Sequence, residues 1–355
     1  MNEKKEKPLL RIDDLVVSFR SDDRRVRAVN GMNISIYPQQ TVAVVGESGC
    51  GKSVTALSIL QLVPIPPGNY DAGAICWSGN GSGGPVNLLD YSDKQMRSVR
   101  GNQIAMIFQE PMTSLNPVYT VGAQIVEAVL LHQKVNRKQA FEIAEKSLVD
   151  VGIADAGSRL KEYPHQLSGG MRQRVMIAMA LACEPELLLA DEPTTALDVT
   201  IQAQILELLR DLQRQRGMSI MLITHDLGVV AENADVVAVM YAGRIVEYGS
   251  VHDIFHDPLH PYTRGLFASM PVLGAPQGML VTIPGNVPNP AHLPTGCAFH
   301  PRCAELNDDP NCRAESPDLL EVRDHHWVAC WHTPEHAAGK ATVPDLAYRR
   351  EAVTA

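Results

Sequence analysis

The chain has 355 residues, 45% of them apolar, and a formal net charge of −9 at pH 7. This length leaves room for one large domain and a smaller one, and the apolar fraction is enough for a sizeable core. The negative charge argues against nucleic acid as the main partner, because phosphate backbones attract basic surfaces. We expect a soluble protein, since residues 1–8 lack an apolar signal region and no apolar run approaches the roughly 20 residues of a membrane span.

The first part of the chain predicts short strands. Residues 10–12, 15–19 and 32–36 are rich in apolar and β-branched side chains, and residues 22–25 form a charged hairpin tip. The run 41–45, T-V-A-V-V, predicts a buried strand. It leads directly into the first motif.

Residues 46–53 read G-E-S-G-C-G-K-S and fit the P-loop pattern G-x-x-x-x-G-K-[ST]. The preceding strand and the helix-like run 54–62 are the context that this motif requires, which argues against a glycine-rich turn without a ligand. In a P-loop the backbone N–H groups surround phosphates, the lysine reaches the β and γ oxygens, and the last hydroxyl binds Mg²⁺. The candidate nucleotide-binding residues are Gly46, Glu47, Ser48, Gly49, Cys50, Gly51, Lys52 and Ser53, of which Ser53 is also a candidate Mg²⁺ ligand.

Beyond the P-loop helix the pattern changes from strand to helix. The run 104–108 predicts a short strand that ends at Gln109. A glutamine in this position is ordinarily a solvated loop residue, so the pattern alone assigns it no role. Apolar spacing further on predicts helices at 123–131 and 138–151.

The segment 165–192 contains two further patterns that handle phosphate. Ser168 can cap a helix that begins with two glycines, and the N–H groups of such a helix start bind phosphate. The strand 187–191 then ends in Asp191 and Glu192, a common arrangement for holding Mg²⁺ and polarising a water. Together with the P-loop, these patterns indicate a nucleotide-dependent enzyme.

The following residues return to an alternation of helix and strand. One apolar helix face runs through 201–212 and ends before Gly217, and the apolar runs 220–223 and 236–240 are typical of parallel strands covered on both faces. His225 follows the first of these strands at its carboxyl end, where such sheets bind ligands. A lone histidine is otherwise more often a satisfied core residue.

These motifs occur in the order found in ABC ATPases, and residues 9–250 resemble that family. Residues 167–171, L-S-G-G-M, resemble its signature motif, and residues 195–198, T-A-L-D, resemble its D-loop. Gln109 resembles the Q-loop glutamine and His225 the switch histidine.

The resemblance implies a role for each residue of the predicted catalytic group. Asp191 would hold Mg²⁺, with Gln109 near the metal or the attacking water. Glu192 would be the general base on that water, and His225 would orient the water and the γ-phosphate. The predicted catalytic residues are thus Glu192, His225 and Gln109.

Further ATP contacts follow from the same resemblance. Ser168, Gly169 and Gly170 would contact ATP bound by the opposite protomer, so turnover would need a dimer. Asp198 belongs to the D-loop. Phe19 stands where the family places an aromatic ring under adenine, although the pattern itself fits a half-buried strand residue equally well.

The resemblance also implies the fold: a RecA-like α/β P-loop core with an antiparallel β-subdomain and a helical subdomain inserted at about 113–175. Residues 1–255 would form this nucleotide-binding domain. In the family the helical subdomain receives the coupling helix of a membrane subunit. Residues 110–117 are our candidate for that contact, with an ordinary capped turn as the alternative.

Residues 256–334 resemble the C-terminal extension of ATPases from oligopeptide and dipeptide importers, a group that also handles nickel. The implied partners are a second ABC ATPase, two transmembrane permease subunits and an extracytoplasmic solute-binding protein, with no nucleic acid. The implied location is the cytoplasmic face of the inner membrane. Residues 335–355 lack periodicity and predict a flexible tail.

Four cysteines are clustered in this extension: Cys297, Cys303, Cys312 and Cys330. Their spacing contains no C-x-x-C, so it matches neither a standard zinc ribbon nor a ferredoxin. Four thiols in a segment poor in apolar residues suggest a structural metal that staples a subdomain separate from the P-loop core. Some importers of this group carry a 4Fe–4S cluster on similarly placed cysteines, so the resemblance implies that cluster; Zn²⁺, with His300 as a possible substitute ligand, and free thiols stay open.

Other classes of ABC ATPase fit less well. A DNA-repair-type enzyme would need a long coiled-coil insertion, and a regulatory module without hydrolysis would tend to lack Glu192 or His225. An efflux ATPase is closer, but the extension favours the importers. We therefore predict Mg²⁺-dependent ATP hydrolysis that powers an importer of di- or oligopeptides, or alternatively of nickel or another small solute.

Overall fold

The computed structural model describes residues 6–21, 24–79, 84–109, 114–195, 197–270, 282–306, 309–334 and 336–350. The chain forms two compact units, the first from residues 1–89 and 224–355 and the second from residues 90–223. None of the helices within the described ranges is long and apolar enough to cross a membrane.

The strands, numbered in chain order, alternate with helices through most of the chain. They are β1 (Leu10–Ser21), β2 (Arg24–Ile36), β3 (Thr41–Val45), β4 (Gly68–Trp77), β5 (Val86–Asn87), β6 (Ile104–Ile107), β7 (Leu187–Asp191), β8 (Ser219–Ile223), β9 (Val236–Tyr241), β10 (Arg244–Ser250), β11 (Leu320–Arg323) and β12 (His326–Val328).

The helices are mostly short, and 3₁₀ turns lie at Leu88–Asp90, Pro164–Gln166, His300–Arg302 and His336–Ala338. The α-helices are α1 (Lys52–Ile59), α2 (Asp93–Val99), α3 (Val121–His132), α4 (Arg137–Asp150), α5 (Ala156–Arg159), α6 (Gly169–Leu181), α7 (Val199–Arg216), α8 (Leu227–Asn233), α9 (Val251–His256), α10 (Pro261–Ala268) and α11 (Pro310–Ala314).

In the first unit, an antiparallel sheet has the strand order β2-β1-β4-β5. The sequence predicts two short strands where the structure has the single strand β1. Asp14 adopts a left-handed conformation with φ of 45°, and the pairing register shifts between Ile12 and Leu15. The irregularity interrupts the alternation of side chains without ending the strand, which explains why the pattern looked like two strands.

The other strands of the first unit follow the order β11-β12-β10-β9-β3. Strands β3 and β9 are parallel and every residue in both is buried, as their unbroken apolar runs predict. The remaining pairs are antiparallel. The core beside them includes Tyr241, Tyr262 and Phe299, so the residues after 255 help to build the core that supports β3.

The extension also adds strands to this sheet. Strand β12 pairs with β10, with Glu247 opposite Val328, and His326 Nε2 lies 2.8 Å from the Glu247 carboxylate. Both side chains are buried. The domain boundary predicted near residue 255 stays a prediction, but main-chain pairing connects the residues on its two sides.

Residues at the end of the chain have specific partners in the first unit. The Gln40 side chain donates hydrogen bonds of 2.8 Å to the carbonyl oxygens of Leu346 and Tyr348, and the Tyr37 hydroxyl contacts Asp345. Leu346 is buried. The flexibility predicted for residues 335–355 stays a prediction, and these contacts argue against it for residues 345–348.

In the second unit, β8, β7 and β6 form parallel pairs, with Ile104 opposite Leu187 and Leu187 opposite Ser219. Helices α3 and α4 confirm the two predicted helices, and their capping residues Thr120 and Asn136 accept hydrogen bonds from N–H groups of the first turn. Helix α7 ends at Gly217 with φ of 65°, as predicted.

Candidate nucleotide site

The P-loop of the first unit has a backbone that only glycine accommodates at two positions. Gly46 has φ of 152°, and a Cβ there would lie 2.2 Å from the carbonyl oxygen of Met240. Gly51 has φ of 107°, and its Cβ would lie 2.3 Å from the carbonyl oxygen of Ala28. A side chain at either position would displace the loop from β9 or β2, so the glycines allow the compact turn between β3 and α1.

Lys52 is buried and its ammonium group points back over the loop. Its Nζ lies 2.7 Å from the carbonyl oxygen of Gly46, 3.1 Å from that of Glu47 and 3.8 Å from the Cys50 sulfur. Burial raises the pKa of the Cys50 thiol, so this cysteine is a neutral packing residue of the loop. The motif thus holds a cation at the start of α1, next to its own carbonyl groups.

Glu47 has partners that the sequence analysis missed. Its N–H donates to the Tyr262 hydroxyl at 2.9 Å, and its carboxylate lies 2.6 and 3.0 Å from two nitrogens of Arg302. Hydrogen bonding to this carboxylate raises the pKa of the Arg302 guanidinium. The extension is therefore in direct contact with the P-loop. The separate subdomain expected from the sequence stays a prediction. No local pattern connects residues that lie 255 positions apart.

His225 lies at an exposed bend in the first unit, just before α8. The preceding residue, Thr224, donates its N–H to the carbonyl oxygen of Val44 in β3 at 3.4 Å, and its hydroxyl accepts from the N–H of Asp226 at 3.0 Å. Asp226 then caps α8 through the N–H groups of its first turn. These bonds anchor the bend beside the strand that leads into the P-loop.

Phe19 lies in β1, opposite Val26 of β2 and Gly68 of β4, and its side chain is half-buried. This is the environment of an ordinary strand residue with one face accessible. A role under adenine stays a prediction.

In the second unit, Glu192 is held in an unusual conformation directly after β7. Its φ is 47°, in the left-handed region that non-glycine residues rarely adopt, and its N–H donates to the carbonyl oxygen of Ile223. The Gln109 amide donates to the Glu192 carboxylate at 3.1 Å, and the Thr195 hydroxyl donates to the same oxygen at 2.8 Å. The structure thus brings Gln109 and Glu192 together, and it adds Thr195, which the sequence analysis placed only within the D-loop motif.

Asp191 is the last residue of β7 and is buried. The loop that follows it is tied to α6, because the buried Gln173 side chain donates to the carbonyl oxygen of Pro193. Asp191 and Glu192 thus form an acidic pair at the carboxyl end of a parallel strand. The backbone around this pair is held by two hydrogen bonds, one to Ile223 and one from Gln173.

Ser168 caps α6 as predicted, with its hydroxyl accepting from the N–H of Met171 at 3.3 Å. Ser168 and Gly169 are exposed, and a Cβ at Gly169 would meet no atom of the described residues within 4 Å. At Gly170 it would meet Ile201 at 3.2 Å. The helix start therefore presents an open surface on one side and packs against α7 on the other.

Asp198 caps α7, with its carboxylate accepting from the N–H of Ile201 at 3.0 Å. Ala196 of the predicted D-loop lies outside the described residues. So do residues 110–113 of the predicted contact with a membrane subunit, whereas 114–117 are described.

In the extension, the structure brings the four clustered cysteines around one small cavity. Cys297, Cys303, Cys312 and Cys330 all line it. All seven cysteines of the chain are among the described residues, and none of them forms a disulfide. Burial raises the pKa of each of the four thiols, that of Cys312 to about 12. Four thiols around one cavity are a donor set that suits a tetrahedral metal or an iron–sulfur cluster.

Other donor groups lie beside the same cavity. The ligand atoms of Asp309, Cys312 and His332 lie within 4.8 Å of one another. His300 also lines the cavity, with its Nδ1 at 2.9 Å from the carbonyl oxygen of Cys297. His300 was predicted as a substitute zinc ligand, whereas Asp309 and His332 are donor groups that the sequence analysis did not name.

Comparison with known proteins places the fold in a class. Two solved ATP-binding cassettes resemble the structure: MJ0796 in a dimeric post-hydrolysis state with ADP and Pi, and cbiO1 of Clostridium perfringens, part of the transporter complex cbiONQ. The first has a TM-score of 0.60 at 23% identity and covers 68% of this chain and 98% of its own. The second has a TM-score of 0.58 at 26% identity and covers 71% and 92%. The chain has the α/β fold of an ABC ATPase cassette.

Sequence comparison identifies the family to which the chain belongs among ABC ATPases. The ABC transporter model matches residues 29–195, and the model for the C-terminal region of oligopeptide/dipeptide transporters matches residues 246–312. The oligopeptide transport ATP-binding protein OppD of Bacillus subtilis is 50% identical over 325 residues, 91% of this chain and 88% of OppD. The dipeptide transport ATP-binding protein DppD of the same organism is 50% identical over 329 residues, 93% and 96% of the two chains. The chain belongs to the oligopeptide/dipeptide family of ABC transporter ATP-binding proteins.

Proposed function

We propose that this chain hydrolyses ATP and thereby powers an ABC importer of di- or oligopeptides. The relatives named for oligopeptide and dipeptide transport are half identical to it over nine tenths of its length. The extension that distinguishes this group is matched as well. Import of nickel or another small solute is the alternative.

The observation that carries the hydrolytic role is the environment of Glu192. Two neutral donors, Gln109 and Thr195, hold its carboxylate in a fixed position, and the backbone beneath it is strained. Strained backbone persists where function requires it. In this proposal Glu192 takes a proton from the attacking water as the general base, and Gln109 positions the carboxylate and approaches Mg²⁺. Asp191 is the further Mg²⁺ ligand of the second unit.

In the first unit, the P-loop residues 46–53 bind the phosphates, Lys52 contacts the β and γ oxygens, and Ser53 binds Mg²⁺. Lys52 already lies over the loop, so binding requires its ammonium to exchange carbonyl partners for phosphate oxygens. His225, on its anchored bend, orients the water and γ-phosphate. Phe19 is the proposed surface for adenine.

The open start of α6 supports a site completed by a second ATPase. Ser168 and Gly169 are exposed, and within the described part of the chain no atom lies within 4 Å of a Cβ at Gly169, so a ligand on another chain can approach these N–H groups closely. We assign Ser168, Gly169 and Gly170 to contacts with ATP bound by that partner, and Asp198 of the D-loop to ATP binding. Dimer closure on ATP and reopening after hydrolysis would drive two permease subunits, which receive solute from a binding protein outside the membrane.

For the extension we propose a structural 4Fe–4S cluster held by Cys297, Cys303, Cys312 and Cys330. The four thiols line one cavity, and four thiolates are the donor set that such a cluster uses. The cluster would cross-link and stabilise this extension, which contains little regular secondary structure. Zn²⁺ is the alternative, and the proximity of Asp309 and His332 to Cys312 favours it, because mixed sulfur, nitrogen and oxygen ligands suit zinc.

The transport proposal is tested by purifying the tagged chain from membranes and measuring uptake of a labelled peptide by vesicles that contain the complex. We expect two permeases and a solute-binding protein to co-purify, and uptake to require ATP. Lys52→Met is the matched inactive control. Co-purification without a permease would contradict the transport role, and ATP-dependent uptake of Ni²⁺ without peptide uptake would favour the alternative solute.

A further inference from the structure

The extension contacts the P-loop through an ion pair whose arginine is buried. Arg302 ends the 3₁₀ turn His300–Arg302, and its side chain is 4% exposed. Its two terminal nitrogens lie 2.6 and 3.0 Å from the two carboxylate oxygens of Glu47, the second residue of the P-loop. Two parallel hydrogen bonds of this kind fix the orientation of both groups.

The remaining donors of the guanidinium are also in use. Its Nε donates to the carbonyl oxygen of Pro284 at 3.0 Å, and one terminal nitrogen lies 3.4 Å from the Tyr241 hydroxyl. The guanidinium carbon lies 5.9 Å from the centre of the Tyr241 ring. Contacts with the extension and with β9 therefore fix the position of the Arg302 side chain. Because it is fixed, Arg302 can restrain the Glu47 carboxylate.

Glu47 places a carboxylate in a loop that binds polyphosphate. An uncompensated carboxylate there would repel the ligand. The Arg302 side of the contact is buried, whereas the Glu47 side chain is 29% exposed. Arg302 cancels that charge locally. Tyr262 adds a second restraint, since its hydroxyl accepts the Glu47 N–H at 2.9 Å.

The turn that carries Arg302 is also part of the cysteine cavity. Cys303 directly follows Arg302, and its N–H donates to the carbonyl oxygen of His300 at 3.2 Å. The N–H of His300 donates to the carbonyl oxygen of Cys297 at 3.0 Å. One hydrogen-bonded turn therefore contains Arg302, which pairs with the P-loop, and two of the four cavity cysteines, Cys297 and Cys303.

We propose that Arg302 is a positioning residue for nucleotide binding: it neutralises Glu47, holds the P-loop in shape, and makes ATP affinity depend on the integrity of the cysteine-lined turn. The inference rests on the proposed ATP binding at the P-loop. It adds a role for the extension in the affinity of the ATPase for its nucleotide.

The test is a double-mutant cycle on the full chain, with ATP affinity measured by competition against a fluorescent ATP analogue. We expect Arg302→Met to raise the Kd for ATP about 10-fold, because Glu47 is left charged and unpaired. In Glu47→Gln/Arg302→Met the charge is gone as well, and we expect recovery to within about 3-fold of the wild-type Kd. A merely structural ion pair would show no such recovery.

Two further variants control the cycle. Arg264→Met removes an arginine of the same extension that pairs with Glu305 at 3.0 Å and is half-exposed, and we expect its Kd to stay within about 2-fold of wild type. Arg302→Lys keeps the charge and loses the two parallel hydrogen bonds, so we expect a rise of about 3-fold. In turnover assays, Arg302→Met should raise KM far more than it lowers kcat.

A wild-type Kd in Arg302→Met, or a double variant as weak as Arg302→Met, would overturn the inference. If Arg302→Met does not fold, the Kd values of Arg302→Lys and of the double variant test the proposal instead. An unchanged Kd in Arg302→Lys would then contradict a positioning role for Arg302. Failure of the wild-type chain to bind ATP at all would overturn the proposed function, and this inference with it.

Discussion

The P-loop and the turn at residues 297–303 lie in the same unit and contact each other, but different forces shape them. The P-loop connects a fully buried strand to a helix, and the backbone freedom of Gly46 and Gly51 defines its course. The turn is held by side chains: Arg302 on Glu47, and the Phe299 ring 5.3 Å from that of Tyr241. A loop shaped by its own backbone leaves a motif in the sequence, whereas a turn shaped by distant side chains does not.

The largest loss of ATP turnover is expected from a substitution at the start of α6, the surface that we assign to contact with a second chain. Ser168→Arg should lower ATP turnover by ~10³-fold, since a bulky cation would occupy the open start of α6. ATP binding by the separate chain should persist, because the P-loop residues are unchanged. Equilibrium binding and phosphate release measure the two properties, and loss of ATP binding by the monomer would contradict the assignment of Ser168 to a partner's ATP.

The next effect concerns the carboxylate after β7. Glu192→Gln should lower hydrolysis by ~10²-fold, as expected for loss of a general base, while ATP binding is kept and a dimer is trapped. Thr195→Val tests the geometry, because it removes the hydroxyl that donates to Glu192, and it should reduce the rate less than Glu192→Gln. Phosphate release and gel filtration with ATP are the measurements. Near-normal turnover in Glu192→Gln would remove this residue from its role.

The cysteine-lined turn provides the contrasting experiment. Cys303→Ser and Cys312→Ser should each abolish metal retention and make residues 290–332 more sensitive to proteases. Protein prepared without oxygen should contain about four irons per chain and matching sulfide if the cluster is 4Fe–4S. Cys183→Ser, a buried thiol of the second unit, is the matched control and should keep the metal. One zinc per chain would support the alternative, and metal-free wild-type protein with reactive thiols would contradict both.

The smallest effect is expected at the end of the chain. Tyr37→Phe removes the hydroxyl that contacts Asp345 and should lower the free energy of unfolding by about 1 kcal/mol. Tyr119→Phe, at an exposed tyrosine, is the control and should change the free energy of unfolding little. Chemical denaturation measures both, and hydrogen exchange should show protection lost at residues 345–350. Equal exchange in wild type and variant would mean that the tail is not anchored there.

The sequence was most informative where a motif coincides with regular structure. The P-loop between β3 and α1, the cap at Ser168, and the acidic pair at the end of β7 follow from apolar periodicity and local capping chemistry. Gln109 could be proposed only from the family, but its hydrogen bond to Glu192 gives it a physical partner.

The remaining features depend on contacts between distant parts of the chain. The pairing of β12 with β10 and the ion pair of Arg302 with Glu47 join residues that no local pattern connects. The four cysteines suggested a common site through their clustering, but the neighbouring Asp309 and His332 became visible only in the structure. Packing in three dimensions selects such partners, and periodicity carries no information about them.

The central claim, that ATP hydrolysis by this chain powers peptide import, is tested most directly by the ATPase rate of the assembled complex in the presence of its solute-binding protein. We predict that di- or oligopeptides on the binding protein raise the rate, that free amino acids and Ni²⁺ do not, and that Glu192→Gln removes the response. A rate that is indifferent to peptide and rises with Ni²⁺ would contradict the claim.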